Sequence, residues 1–416
     1  MAMTDKKQLK ARIRARMAKT GERYSTARAH ILGDTGPKID HGWTLRGGAN
    51  PESAALAGLL GLDEALVFGI SGGIGAGYIL WEFSHGPVVT IGFTSQWHRI
   101  AEPTRAAGRS LGVEVVEHTG GAKTATRVLR ENLDAGRPVM IWPDRFHIGY
   151  WNVPALLDGH GGDVVLAYAI DDGKVHLDDR TLATLTVPIE DVERARARVT
   201  SWKNLSLTIP EPKVDPARIR SAVQEGIEDV VTRLTQSSDS FSLPTWRKWS
   251  RMMTDKRNKK GWPQVFADGT GLLRALASVW EGIEPVGMCG GNQRGLFADF
   301  LDQAAGILDR PALRDEAERW REIAGKWHVL AEAAFPADIP AVARIRELTA
   351  TVSTAVIDGD AGRDECRAAA QELWDLRQDE PFTEAEAIFA DMGRALADIH
   401  AAETMAVGIL ESATKL

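Results

Sequence analysis

The feature that most restricts how this chain can fold is a change of hydrophobic period near residue 210. Before a polar stretch holding Pro210, Pro212 and Pro216, short β-branched runs alternate with helix-spaced ones. After it, apolar residues recur at helical spacing almost to the last residue. A chain of 416 residues exceeds one ordinary core. The expected division is therefore a basic helical arm over 1–40, an α/β domain over 41–210 and a helical domain over 211–416. In the first domain, 54–62, 103–111 and 124–135 have helical spacing. Residues 87–93, 113–118 and 138–142 read as strands, and 65–70 as a short buried strand entering a glycine loop over 69–77. Runs at 164–170 and 174–178 flank Asp171-Asp172-Gly173, a composition suited to a tight hairpin. Alternation followed by a hairpin predicts a mixed α/β (α+β) sheet. In the second domain, 217–234, 272–280, 296–308, 312–334, 339–355, 364–376 and 383–412 read as helices. The basic segment 247–260 reads as a connection.

Charge and cysteine content exclude some classes. A net charge of −7 opposes bulk nucleic-acid binding, so no specific nucleic-acid partner is expected. The arm is the exception: Lys6, Lys7, Lys10, Arg12, Arg14, Arg16, Lys19, Arg23 and Arg28 face only Asp5 and Glu22. It reads either as a solvated arm or as a contact for an anionic partner. Cys289 and Cys366 are too few for a disulfide framework, and no signal peptide is evident, so a reducing cytoplasm is expected. The apolar stretch 67–80 is broken by glycines and predicts no membrane helix.

The run VFGISGGIGAG at 67–77 invites a dinucleotide reading, with Gly69, Gly73 and Gly75 before a helix that could receive a pyrophosphate. A short-chain dehydrogenase also needs a lysine four residues after its tyrosine. Tyr24, Tyr78, Tyr150 and Tyr168 are followed there by Arg28, Glu82, Pro154 and Asp172. The dehydrogenase reading is disfavoured, and no cofactor is expected.

A longer pattern accounts for the same glycines. LDEALVFGISGGIGAGY at 62–78, RPVMIWPD at 137–144, GGDVVLAYAID at 161–171 and VHLDDR at 175–180 resemble the N-terminal domain of the butirosin biosynthesis protein H (BtrH) family. KKGWPQVF at 259–266 and GGNQRGLFADFLD at 290–302 resemble the DUF4872 domain that often follows it. The resemblance implies a papain-like, peptidase-C39-like core with a second, all-helical domain. It also implies acyl (aminoacyl) transfer from a carrier-protein thioester to an amine on a small natural-product intermediate. In such folds a cysteine starts the first core helix, a histidine begins a later strand, and an Asp or Asn on the next strand orients the ring.

Aligned this way, the family's His-Cys pair falls on Ala49-Asn50, its histidine on Asp163 and its third member on Asp179. The first domain contains no cysteine. Three readings stay open. In one, catalysis is non-covalent, with Asp163 and Asp179 as general base and electrostatic partner and Asn50 as an oxyanion donor or simply a helix cap. In another, His160 or Ser53 carries part of the chemistry. In the third, the fold binds an acylated or amine-bearing ligand without turning it over. Asp144, after a strand and Pro143, either enters a cleft or caps the segment behind it. Asp158, His160, Asp163, His176, Asp178 and Asp179 lack any standard metal spacing, and no metal is expected. Cys289 reads as a buried thiol more than a reactive one. Trp81, Trp97, Trp142, Trp151, Trp202, Trp246, Trp249 and Trp262 could line a cleft between the domains, the default place for a small-molecule substrate. An acyl carrier protein is a candidate partner.

Overall fold

The computed structural model describes residues 38–83, 86–378 and 385–414. All but the end of the basic arm lies outside the described residues. The described chain opens with a hairpin, β1 (Lys38–Asp40) and β2 (Trp43–Leu45), turned by His41 and Gly42 at φ 46° and 77°. Helix α1 (Pro51–Leu60) starts at an Asn50 cap with proline in its first turn and ends at a left-handed Gly61. Helix α2 (Glu64–Ile70) follows at once, capped by the Asp63 carboxylate.

Residues 65–70 are thus a helix and not the expected strand. An apolar run this short has no period that separates the two, and the Asp63 cap decides the matter. The glycines do not form a phosphate-binding loop either. They lead through a turn at Ser71–Gly73 into β3 (Ile74–Phe83), paired antiparallel with β4 (Gly86–Thr94). A Cβ on Gly77 would lie 2.0 Å from Trp97 Nε1, and one on Gly92 2.2 Å from the same indole. These two glycines make room for a ring laid on the hairpin. Because a strand follows the run, no helix N-terminus is available there for a pyrophosphate, and the dehydrogenase reading fails.

Further along come α3 (Glu102–Leu111), β5 (Val116–His118), α4 (Ala122–Asp134), β6 (Val139–Ile141) and α5 (Arg145–Ile148). The hairpin β7 (Val165–Asp171) and β8 (Lys174–Asp178) turns where expected, then β9 (Leu185–Pro188), α6 (Ile189–Arg198) and β10 (Ser206–Thr208) close the sheet. Strand order is β5-β10-β6-β7-β8-β9, with every neighbouring pair antiparallel. On β7, Val165 and Ala167 join the main core while Leu166 packs in a second cluster with Met140 and Leu207. Apolar cover on both faces explains why this strand reads as an unbroken apolar run.

The rest is helical: α7 (Pro216–Leu234), α8 (Pro244–Thr254), α9 (Trp262–Val265), α10 (Leu272–Ile283), α11 (Arg294–Leu308), α12 (Leu313–Ala334), α13 (Pro340–Ile357), α14 (Arg363–Gln378) and α15 (Ala385–Thr414). The basic segment expected as a connection is largely α8, whose Trp246, Trp249 and Met253 are buried. One hydrophobic core runs from α2 into α11. Arg294, fully buried, donates to the carbonyls of Gly75 (2.9 Å) and Phe93 (3.2 Å) and to the Glu403 carboxylate (2.8 Å), fastening the β3–β4 hairpin to the helices. Trp246 and Trp327 donate to the same carboxylate. Among the described residues no single helix is long and apolar enough to cross a membrane.

Candidate functional site

The start of α1 is held from several sides. Asn50 Oδ1 accepts from the Glu52 and Ser53 amides at 3.1 and 3.0 Å, a standard cap. The amides of Ala49 and Asn50 donate to the Glu64 carboxylate at 2.9 and 2.8 Å, and Ser53 Oγ donates to it at 3.3 Å. The Ala54 amide bonds the Asn50 carbonyl. These backbone donors are therefore committed, and the group Asn50 has left to offer a ligand is its Nδ2. Arg180 donates to the carbonyls of Ala49 (3.3 Å) and Met288 (2.6 Å), seating the loop between α10 and α11 on this helix end. Gly290, at φ 83°, allows the approach: a Cβ there would lie 1.8 Å from the Ala49 oxygen.

That loop brings Cys289 to Asp163, just ahead of β7. Sγ lies 3.6 Å from Asp163 Oδ2, which also receives Arg145 Nη2 at 3.3 Å. Between these elements runs a cleft of about 390 Å³ lined by Asn50, Glu52, Ser53, Trp97, Asp163 and Cys289, among others. The expected cleft between the halves exists, but only Trp97, Trp142 and Trp202 of the eight tryptophans line it. Trp246, Trp249 and Trp262 are core residues, and Trp81 is exposed.

Two carboxyls face the cleft in different surroundings. Glu52 Oε1 accepts from the Thr104 amide at 3.0 Å and hydroxyl at 2.6 Å. Burial pushes this carboxyl up to about 7; the Thr104 bonds oppose the shift and the Asp163 charge adds to it. Asp163 stands against a permanent cation, Arg145. Cys289 is accessible from the cleft, not buried as expected. Its thiol is held well above the ordinary range, first by the Asp163 charge and then by desolvation.

The other expected residues fall elsewhere. Asp179 is fully buried and receives Arg145 Nη1 (2.6 Å), the Tyr150 hydroxyl (2.8 Å) and Trp151 Nε1 (2.9 Å) on one oxygen. Burial favours its neutral form, yet Arg145 and Arg180 outweigh this and keep its carboxyl below the usual range. Asp179 and Asp163 share Arg145, and Asp179 does not itself line the cleft. Asp144 is buried and caps: Oδ1 accepts from the His147 amide (3.2 Å), Oδ2 from those of Gly159 and Gly161 (3.0 Å each). His160 is exposed and is not a cleft-lining residue. Ser53 lines the cleft, with Glu64 as its polar contact. The acidic–histidine group does not converge, since Asp158 pairs with Arg198, Asp178 accepts from Trp43, and His176 meets Asp40.

Glu52 was the residue that sequence reasoning passed over. An acidic residue in a first turn is ordinary helix chemistry, and nothing in the pattern Asn-Pro-Glu-Ser says that Thr104 and Asp163 will surround it.

Comparison with known families adds two matches. Residues 52–180 match the family model described as butirosin biosynthesis protein H, N-terminal, and residues 190–356 match a domain of unknown function, DUF4872. No curated protein matches the chain.

Proposed function

We propose, from the match of residues 52–180 to the butirosin biosynthesis protein H N-terminal model and of residues 190–356 to DUF4872, that this chain is a biosynthetic enzyme of acyl-transfer ancestry whose catalysis is non-covalent. Its substrate is a small acylated intermediate, presented as a thioester by an acyl carrier protein in the cytoplasm. The observation that carries this reading is the meeting of Asn50, Glu52 and Asp163 on one cleft, with no thiol at the start of α1. A papain-like ancestry for the core is part of the proposal. It is supported by the placement of Asn50 before α1, Asp163 before β7 and Asp179 after β8.

The attacking amine gives its proton to the Asp163 carboxylate as the new C–N bond forms. The carbonyl oxygen takes up the electron pair and receives a hydrogen bond from Asn50 Nδ2. Collapse of the tetrahedral species breaks the C–S bond, and Glu52 in its protonated form supplies the proton to the departing thiolate. Return of the proton from Asp163 to Glu52 through solvent resets the pair. A buried carboxyl pushed up to about 7 can act as the acid, and Asp163 lies on the same cleft against Arg145. Cys289 is not assigned as the nucleophile, because its neighbour keeps it protonated.

One observation favours a second reading, in which the cleft binds such a ligand without turnover: Glu64 and the Asn50 cap consume the amides that an oxyanion hole would use. Acyl-pantetheine thioesters with candidate amines separate the two, with thiol release and intact protein mass followed together. Release without a protein adduct, lost in Asp163→Asn and reduced in Glu52→Gln, is expected. Thermal stabilisation without release supports the binding reading, and an adduct on Cys289 refutes non-covalent transfer.

A further inference from the structure

Away from the cleft, the β1–β2 hairpin lies across β7 and β8. Trp43 stacks on Tyr168 with centroids 6.2 Å apart and donates to Asp178 at 2.8 Å. The same crossing brings three metal-ligating side chains together. Asp40 Oδ2 accepts from the Tyr168 hydroxyl at 2.7 Å and lies 3.1 Å from His176 Nδ1, while the His41 ring meets the His176 ring at 4.2 Å between centroids. One ligand atom from each of Asp40, His41 and His176 falls within 4.8 Å of the others.

We propose that Asp40, His41 and His176 bind one zinc-class divalent cation, which ties the hairpin to the sheet. Two ligands about 2.0–2.1 Å from a tetrahedral zinc stand roughly 3.3 Å apart. The Asp40–His176 separation of 3.1 Å already fits this geometry. His41 is exposed, so rotation of its side chain closes the third distance, and water completes the shell. The Tyr168 hydroxyl fixes the carboxylate from outside, as outer-shell partners of metal ligands do. His41 sits at φ 46° in a two-residue turn, a position that hairpins usually give to asparagine, aspartate or glycine. Its imidazole reaches the His176 ring and completes a His-His-Asp set. Among the described residues no lysine or arginine pairs with Asp40. The other grouping of this type, Asp144 with His147 and Asp158, is spent: both Asp144 oxygens accept backbone amides, and Asp158 holds Arg198.

The test uses the full chain, stripped with a chelator and titrated with zinc by calorimetry and with cobalt by visible absorption. The expected result is one equivalent bound with the d–d bands of four-coordinate cobalt, and a raised melting temperature. His41→Ala, at an exposed position, should weaken binding at least tenfold and remove the thermal shift. His328→Ala, an exposed histidine in the helical half, should change neither. No zinc binding by the wild-type chain, or binding unchanged in both His41→Ala and His176→Gln, overturns the proposal. Thioester turnover plays no part in these readouts, so the site stands or falls apart from the cleft chemistry.

Discussion

Replacing Glu52 by glutamine removes one ionisation from the cleft and leaves the shape. The amide oxygen can still accept from the Thr104 amide and hydroxyl, which now reach Glu52 at 3.0 and 2.6 Å. The carboxyl stands at about 7 against 4.5 for an ordinary glutamate, with burial as the main cause. In the window between these values the folded chain holds a proton that the unfolded chain has released. Stability therefore falls as pH rises through the window. At about 1.4 kcal/mol per unit, the loss is about 3 kcal/mol in all, most of it between about pH 5 and about pH 8. The variant lacks this loss. Urea denaturation of both proteins at several pH values should show Glu52→Gln gaining on the wild type by roughly 2–3 kcal/mol across that interval. A pH-independent difference would refute the assignment of a raised carboxyl, and with it the proton donor in the proposed reaction.

Other perturbations read the same structure. Glu403→Ala strips the buried Arg294 guanidinium and the Trp246 and Trp327 indoles of their shared acceptor; a loss of about 3–5 kcal/mol in denaturant titration is expected, and a loss below about 1 kcal/mol would deny the network its fastening role. Gly77→Ala drives a methyl to within 2.0 Å of the Trp97 ring, which should cost about 1–3 kcal/mol and be largely recovered by a second change, Trp97→Val. Alkylation of Cys289, followed by mass spectrometry, should be slow in the wild type despite its accessibility and several-fold faster in Asp163→Asn, because the neighbouring charge that suppresses the thiolate is gone. Equal rates would show that access, not charge, limits the thiol.

The long-period features of the fold were legible in the sequence. The β7–β8 turn at Asp171-Asp172-Gly173 and most of the long helices after residue 216 follow from local turn chemistry and from apolar spacing that spans several helical turns. The cap at Asn50 was legible too, since an asparagine before Pro-Glu-Ser announces a helix start by its local hydrogen bonds. Short apolar runs were not: 65–70 is a helix because Asp63 caps it, and the glycines after it are a strand because Trp97 lies over them. The cleft belongs to the tertiary structure alone. Glu52 meets Thr104 across 52 residues, Asp163 meets Cys289 across 126, and Asp144 is drawn into capping by amides 15 and 17 residues away. Such meetings depend on the packing of whole elements, and desolvation exists only once those elements close. Sequence spacing therefore gives the types of group available, while packing decides which of them is buried, paired or left able to move a proton.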